Sequence, residues 1–207
     1  MKVVLYGASG NSGSRILREL QSRGHQVTAA VRNPERLPAG TISVRDDLSN
    51  VDRILEIISG SDAVISAYMP PPEDTDQLLP VTGRLIDAVR KADNPRLIVV
   101  GGAASLEVAP GVTLLASGHI PAAWLPIATS HAKTLELLKK SDVPWTYFSP
   151  AGFFEPGERS GKFRLGKDQL ITDATGNSRI SFEDYAIALV DELENPANIR
   201  QRFTIGY

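Results

Sequence analysis

Apolar positions along the chain follow two periods in alternation. Short, nearly unbroken apolar runs at Val3–Tyr6, Val27–Val31, Ile42–Val44, Ala63–Ala67, Leu97–Val100 and Thr146–Ser149 are bounded by Gly, Pro, Asp or Ser, which predicts strands. Between them, Ser12–Arg23, Asn50–Ile58, Asp76–Lys91 and Ile127–Lys140 carry apolar residues at helical spacing, and Ile16, Leu17 and Leu20 fall on one side of their helix. Strict alternation of the two patterns predicts an α/β chain with a doubly wound parallel sheet and helices on both faces.

From residue 150 onward the rhythm breaks. Turn residues surround short runs such as Phe163–Leu165, so small strands or extended loops are expected there. Ser181 with Asp184 predicts a capped helix that Pro196 stops, and RFTIGY reads as a final strand. The economical organisation is one domain over residues 1–207, with 150–180 and 201–207 forming a small substrate-side elaboration.

The first strand runs into YGASGNSGS, where Gly7, Gly10 and Gly13 stand three residues apart before a helix. Gly7 permits a tight turn, Gly10 offers no Cβ to obstruct a phosphate, and Gly13 lets the helix lie close to the sheet. The unpaired first-turn N–H groups and the helix dipole attract an anion. Gly7, Ser9, Gly10, Asn11, Ser12 and Gly13 are therefore the candidate contacts for a dinucleotide pyrophosphate, and the sheet is expected to be Rossmann-like. The spacing is G-x-x-G-x-x-G rather than G-x-G-x-x-G, and no Lys-Ser/Thr follows as a P-loop requires.

The end of the second strand distinguishes the two nicotinamide dinucleotides. An acid there would bond a ribose 2′-hydroxyl, but the chain has Arg32, with Arg36 nearby, and a guanidinium suits a 2′-phosphate. NADP(H) is expected in preference to NAD(H). After the third strand, Asp47 is placed to reach an adenine amino group and Leu48 to pack on the ring, although turn chemistry explains the same residues. Ser66, Ala67 and Tyr68 end the fourth strand, where ligands of such sheets gather.

Bulk properties narrow the remaining chemistry. The absence of cysteine excludes disulfides, thiolate metal sites and cysteine nucleophiles, and the three histidines lack the spacing of a zinc site, so no metal is expected. A net charge of -2 gives no pointer to nucleic acid or an anionic membrane, and no apolar run approaches the ~20 residues that span a bilayer. A cytoplasmic monomer or dimer acting on a small molecule is the expectation.

YGASGNSGSRI, AVRNPERL, RDDLSN, RLIVVGGAASL, TSHAKTLELLKKSDVPWTYFSP and GNSRISFEDYAIALVDELENP with RFTIGY occur in this order through nearly the whole length. With these stretches the chain resembles the atypical short-chain dehydrogenases/reductases, in particular the NAD(P)H-binding group of presumptive NADH-flavin reductases and biliverdin reductase B. The resemblance implies hydride transfer from NADPH to a flavin or quinone, with FMN or FAD as substrate rather than resident cofactor. Departures limit it. Thr129 stands where the superfamily's Tyr-x-x-x-Lys motif, ending at Lys133, would have its tyrosine. The serine expected after the fifth strand falls on Ala104, with Ser105 one step on, and a family histidine falls on Gly152.

His131, which matches a family histidine, and Ser105 are the candidate catalytic residues, and Trp124, Phe153 and Phe154 the candidate pocket aromatics on loops at strand ends. The competing expectation is a non-catalytic NADP(H)-sensing regulator resembling NmrA-like proteins. A nucleotide-sugar epimerase would need the missing tyrosine and a larger C-terminal domain.

Overall fold

A computed structural model describes residues 1–207. In chain order the strands are β1 Lys2–Tyr6, β2 Gln26–Val31, β3 Ser43–Arg45, β4 Ala63–Ser66, β5 Arg96–Val100, β6 Glu107–Ala109, β7 Val112–Thr113, β8 Trp145–Ser149, β9 Phe153–Glu155, β10 Arg164–Gly166, β11 Arg179–Ser181 and β12 Gln201–Gly206. The helices are α1 Asn11–Ser22, α2 Val51–Ile58, α3 Leu78–Lys91, α4 Leu125–Lys139 and α5 Phe182–Glu194. Eight strands form one sheet in the order β10-β12-β8-β5-β4-β1-β2-β3, parallel throughout except for β10, which runs antiparallel to β12 at the edge.

Alternation along β1 divides the core. Val3 and Leu5 point to one face and pack with Ile16, Leu17 and Leu20 of α1 and with Tyr185, Leu189 and Leu193 of α5. Val4 and Tyr6 point to the other, among Ile54 and Ile58 of α2, Leu85 and Val89 of α3 and Leu135 and Leu138 of α4. Two apolar faces per strand explain the unbroken runs in the sequence. The doubly wound sheet follows, and because the order reverses between β1 and β4, a crevice opens at their carboxyl ends.

Three expectations need correction, and one element lay outside them. Residues 201–207 are not a substrate-side appendage, because Gln201–Gly206 is a strand of the central sheet, in register with β8 from Thr146 to Ser149. Phe153 and Phe154 do not lie on a loop but on β9, paired in parallel with β11. The hairpin β6–β7 was not foreseen, since strands of three and two residues around Pro110-Gly111 are too short to show a period. The fourth strand ends at Ser66, one residue early, leaving Ala67 in the turn beyond it.

No helix is long and apolar enough to cross a membrane.

Candidate functional site

The crevice is built by three turns that leave neighbouring strands. Gly7, at φ +77, ends β1, and a Cβ on it would lie 2.3 Å from the Ala67 carbonyl oxygen, so the exits of β1 and β4 touch through bare backbone. A Cβ on Gly13 would lie 2.0 Å from the Gly7 carbonyl oxygen, so α1 is seated directly on the same turn. Gly10 differs: its Cβ would meet only the Gly7 oxygen, at 3.3 Å, and the space beyond is open. The turn is closed by the Gly10 N–H donating to the Gly7 carbonyl (2.9 Å), and the Ser14 N–H donates to that of Gly10 (2.9 Å).

Helix α1 starts with no side-chain cap and no acid in its first turn. Ser9, Gly10 and Asn11 are exposed and Ser12 is half-buried. Helix α5, by contrast, is capped by Ser181, whose hydroxyl accepts the Asp184 N–H at 2.9 Å, and carries Glu183 and Asp184 in its first turn. The starts of α3 and α4 also lack such groups, but that of α1 follows the glycine turn at the crevice, where it presents backbone donors and a positive dipole end to an anion. A pyrophosphate fits this cradle, where the Gly10 N–H is taken by Gly7 and the amides of Asn11, Ser12 and Gly13 are the donors on offer.

On the adenosine side, Arg32 follows β2 and is exposed, with no ion-pair partner; Arg36 is likewise free, while Arg45 stands 4.0 Å from Glu35. Asp47 is exposed, and its carboxylate accepts the Ser49 N–H (2.9 Å). Hydrogen bonds from Ser49 hold it below the usual carboxylate range, with the Arg84 cation adding to the effect. Turn chemistry and an outward carboxylate thus coexist at Asp47. Leu48 does not offer its side chain to a ring, being 4% exposed and packed into the α2/α3 core. Its neighbour Asp46 is buried, which pushes its carboxyl up, and accepts the Leu48 N–H at 3.2 Å. Ser66 is buried at the strand end, Ala67 forms the floor against Gly7, and Tyr68 is half-buried at the rim.

The candidate catalytic residues lie elsewhere than the sequence suggested. His131 is the seventh residue of α4, and is buried against Gly102 and Tyr147. The Tyr147 hydroxyl accepts the Gly102 N–H (3.0 Å), donates to the His131 carbonyl (3.0 Å) and stands 3.3 Å from His131 Nδ1. Burial lowers the His131 pKa to about 4. It is neutral at physiological pH, so it clamps the Gly101-Gly102 turn rather than delivering a proton. Ser105 is also engaged: its hydroxyl accepts from Arg202 of β12 at 3.2 Å, and Arg202 is fixed in turn by Asp168 at 2.5 Å.

His131 has a measurable consequence for stability. Its ordinary value is 6.5, so below that pH the unfolded chain takes a proton that the folded chain refuses until about pH 4. Stability from this group is complete above pH 6.5 and declines as pH falls, by about 2 kcal/mol between pH 7 and pH 5. Urea midpoints at those two pH values should differ accordingly, and His131→Leu should remove that part of the difference.

The aromatics separate into two groups. Trp124 and Phe153 are exposed, at 65% and 64%, as is Met69 beyond β4 at 62%. Phe154 turns inward, with ring centroids 4.5 Å from Phe182 and 4.6 Å from Tyr185, and belongs to the core. His25 bonds Glu194 at 2.9 Å, His119 is exposed beside Ser117, and Lys133 is exposed on α4.

Sequence reasoning missed Arg84 of α3, whose Nε donates to the Leu48 carbonyl at 2.5 Å. Its only signal was a cation on a helix whose other inward positions, Thr82 apart, are apolar.

Solved structures resemble this arrangement over the whole chain. A Burkholderia pseudomallei protein described as a presumptive exported protein is 45% identical with a TM-score of 0.92, covering 100% of both chains. A presumptive epimerase from Bacteroides thetaiotaomicron is 44% identical at TM-score 0.92, covering 100% of this chain and 96% of its own. A presumptive NADH-flavin reductase from Streptococcus pneumoniae is 32% identical at TM-score 0.91, covering 100% and 99%. The family model described as NAD(P)H-binding matches residues 7–196, from the glycine turn to the end of α5. With the glycine cradle and the turn after β4 inside that span, the chain belongs to the NAD(P)H-binding family of oxidoreductases with a Rossmann-like fold.

Proposed function

We propose that this protein is an NADPH-dependent reductase of a flavin or quinone-type acceptor. The observation that carries the coenzyme half of the reading is the uncapped, acid-free start of α1 beside Gly10, with the unpaired Arg32 at the neighbouring strand end. When bound, the reduced nicotinamide supplies a hydride. The chain's own residues do the rest. Amides from Asn11 to Gly13 hold the pyrophosphate, Arg32 takes the 2′-phosphate in a charge-assisted contact, and Ala67 and the Gly101-Gly102 turn border the crevice floor.

The acceptor half follows from what the side chains around that floor do not offer. Thr129 replaces the tyrosine, His131 is buried and neutral, and Ser105 is held by Arg202. An acceptor that takes a hydride and draws its proton from water suits such a site, because ring alignment is then the main requirement. Exposed Trp124, Phe153 and Met69 offer apolar surface at the carboxyl ends of the strands. The same lack of a proton donor favours a second reading, an NADP(H) sensor that binds without turnover.

Mixing the protein with NADPH and FMN or a benzoquinone, and following loss of nicotinamide absorbance, separates the two. Turnover supports the reductase; tight NADPH binding with no acceptor reduced supports the sensor. Arg32→Ala should weaken NADPH by about 10- to 100-fold and NADH little, as expected for loss of one charged phosphate contact. An unchanged preference for NADPH would remove Arg32 from the site.

A further inference from the structure

Four charged or polar side chains from four separate segments converge beside the adenosine end of the crevice: Arg32 after β2, Asp47 after β3, Tyr68 after β4 and Arg84 from the second turn of α3. Burial raises the Tyr68 pKa, the charges of Arg32 and Arg84 pull it back, and that of Asp74 opposes them, so the phenol lies within electrostatic reach of both cations. Arg84 also acts on Asp47, whose carboxylate it helps to keep ionised. Its Nε is committed to the Leu48 carbonyl across 36 residues of sequence.

Leu48 explains why that bond is needed. Its φ is +64, in the left-handed region where a Leu side chain is strained, and its side chain is buried. Two bonds hold it so: Asp46 accepts its N–H, and Arg84 donates to its carbonyl. Twisting Leu48 into this conformation turns the preceding Asp47 outward while the leucine side chain goes into the core. A strained residue persists only where its surroundings over-determine it, and here a cation from another element does so.

From this geometry we infer that Arg84 is a positioning residue for coenzyme recognition, locking the Asp46–Ser49 turn so that Asp47 faces the adenine edge. The inference rests on the coenzyme reading above and assigns Arg84 no contact with the reacting atoms. It requires that Arg84 act through Asp47, on the adenosine half alone and regardless of the 2′-phosphate.

Calorimetric titrations of wild type, Arg84→Ala, Arg84→Lys, Asp47→Ala and the double variant test it, using NADPH, NADH, ADP-ribose and reduced nicotinamide mononucleotide. Arg84→Ala should weaken NADPH, NADH and ADP-ribose alike by about tenfold, or about 1.4 kcal/mol, and leave the mononucleotide unchanged. Arg84→Lys, which keeps the charge but not the planar fork, should fall between. The double variant should bind no more weakly than the worse single one, since the two act in series. An equal loss for the mononucleotide, a loss confined to NADPH, additive single effects or no loss at all would each overturn the proposal. Failure of the wild type to bind any dinucleotide would overturn the coenzyme reading itself, and the inference with it.

Discussion

Gly13→Ala should nearly abolish coenzyme-dependent activity. In an ordinary helix, alanine for glycine is favourable by about 1 kcal/mol, but here the new Cβ would stand 2.0 Å from the Gly7 oxygen and 2.8 Å from its carbonyl carbon. Both are backbone atoms, fixed by the turn that joins β1 to α1, so the contact is relieved only if the helix withdraws by about 1 Å. That withdrawal carries the amides of Asn11 and Ser12 with it. A displacement of this size costs about 100-fold in a positioned reaction, and overpacking costs about 1–3 kcal/mol of stability as well. NADPH titration and a urea melt on the same variant measure both. Gly10→Ala is the informative control: its Cβ meets one atom only, the Gly7 oxygen at 3.3 Å, which a shift of a few tenths of an ångström relieves, so folding should be retained while the phosphate approach is narrowed.

Glu192→Ala should be the most destabilising change outside the crevice. Arg96, at the start of β5, is 9% exposed and pairs with Glu192 of α5, donates to the Glu192 backbone carbonyl (2.6 Å) and reaches the Thr146 hydroxyl (2.9 Å). The Glu192 carboxylate also accepts the Asn198 N–H (2.9 Å) and the Asn198 side-chain amide (2.7 Å), fixing the approach to β12. Removing the carboxylate leaves a guanidinium buried without its counter-charge, a loss of about 3–5 kcal/mol. Arg96→Leu with Glu192→Leu should recover much of it, because no lone charge then remains. Urea denaturation of the single and double variants, compared at one pH, checks both expectations.

The alternation of strands and helices was readable because each central strand is buried on two faces and each helix on one, so the apolar period changes at every boundary. The glycine turn was readable because close backbone approach admits no other residue. Residues whose roles come from distant partners could not be read in this way. His131 looked like a catalytic residue because its sequence position does not reveal that Tyr147 and Gly102 enclose it; Ser105 looked free because Arg202 lies 97 residues away. Leu48 looked like a ring platform because nothing local announces a left-handed backbone. Arg84 went unnoticed for the same reason, its partner being a carbonyl, which carries no sequence signal.

The central claim, that the first turn of α1 receives the coenzyme pyrophosphate, is tested most directly by amide NMR during titration with NADP+. The largest shifts are predicted at Gly10, Asn11, Ser12 and Gly13, with Arg32 responding to NADP+ more than to NAD+. Unmoved amides at these four positions at saturating coenzyme, or shifts gathered instead at the far edge of the sheet, where Arg164, Lys167, Asp168 and Thr172 line a groove beside β10, would contradict the account.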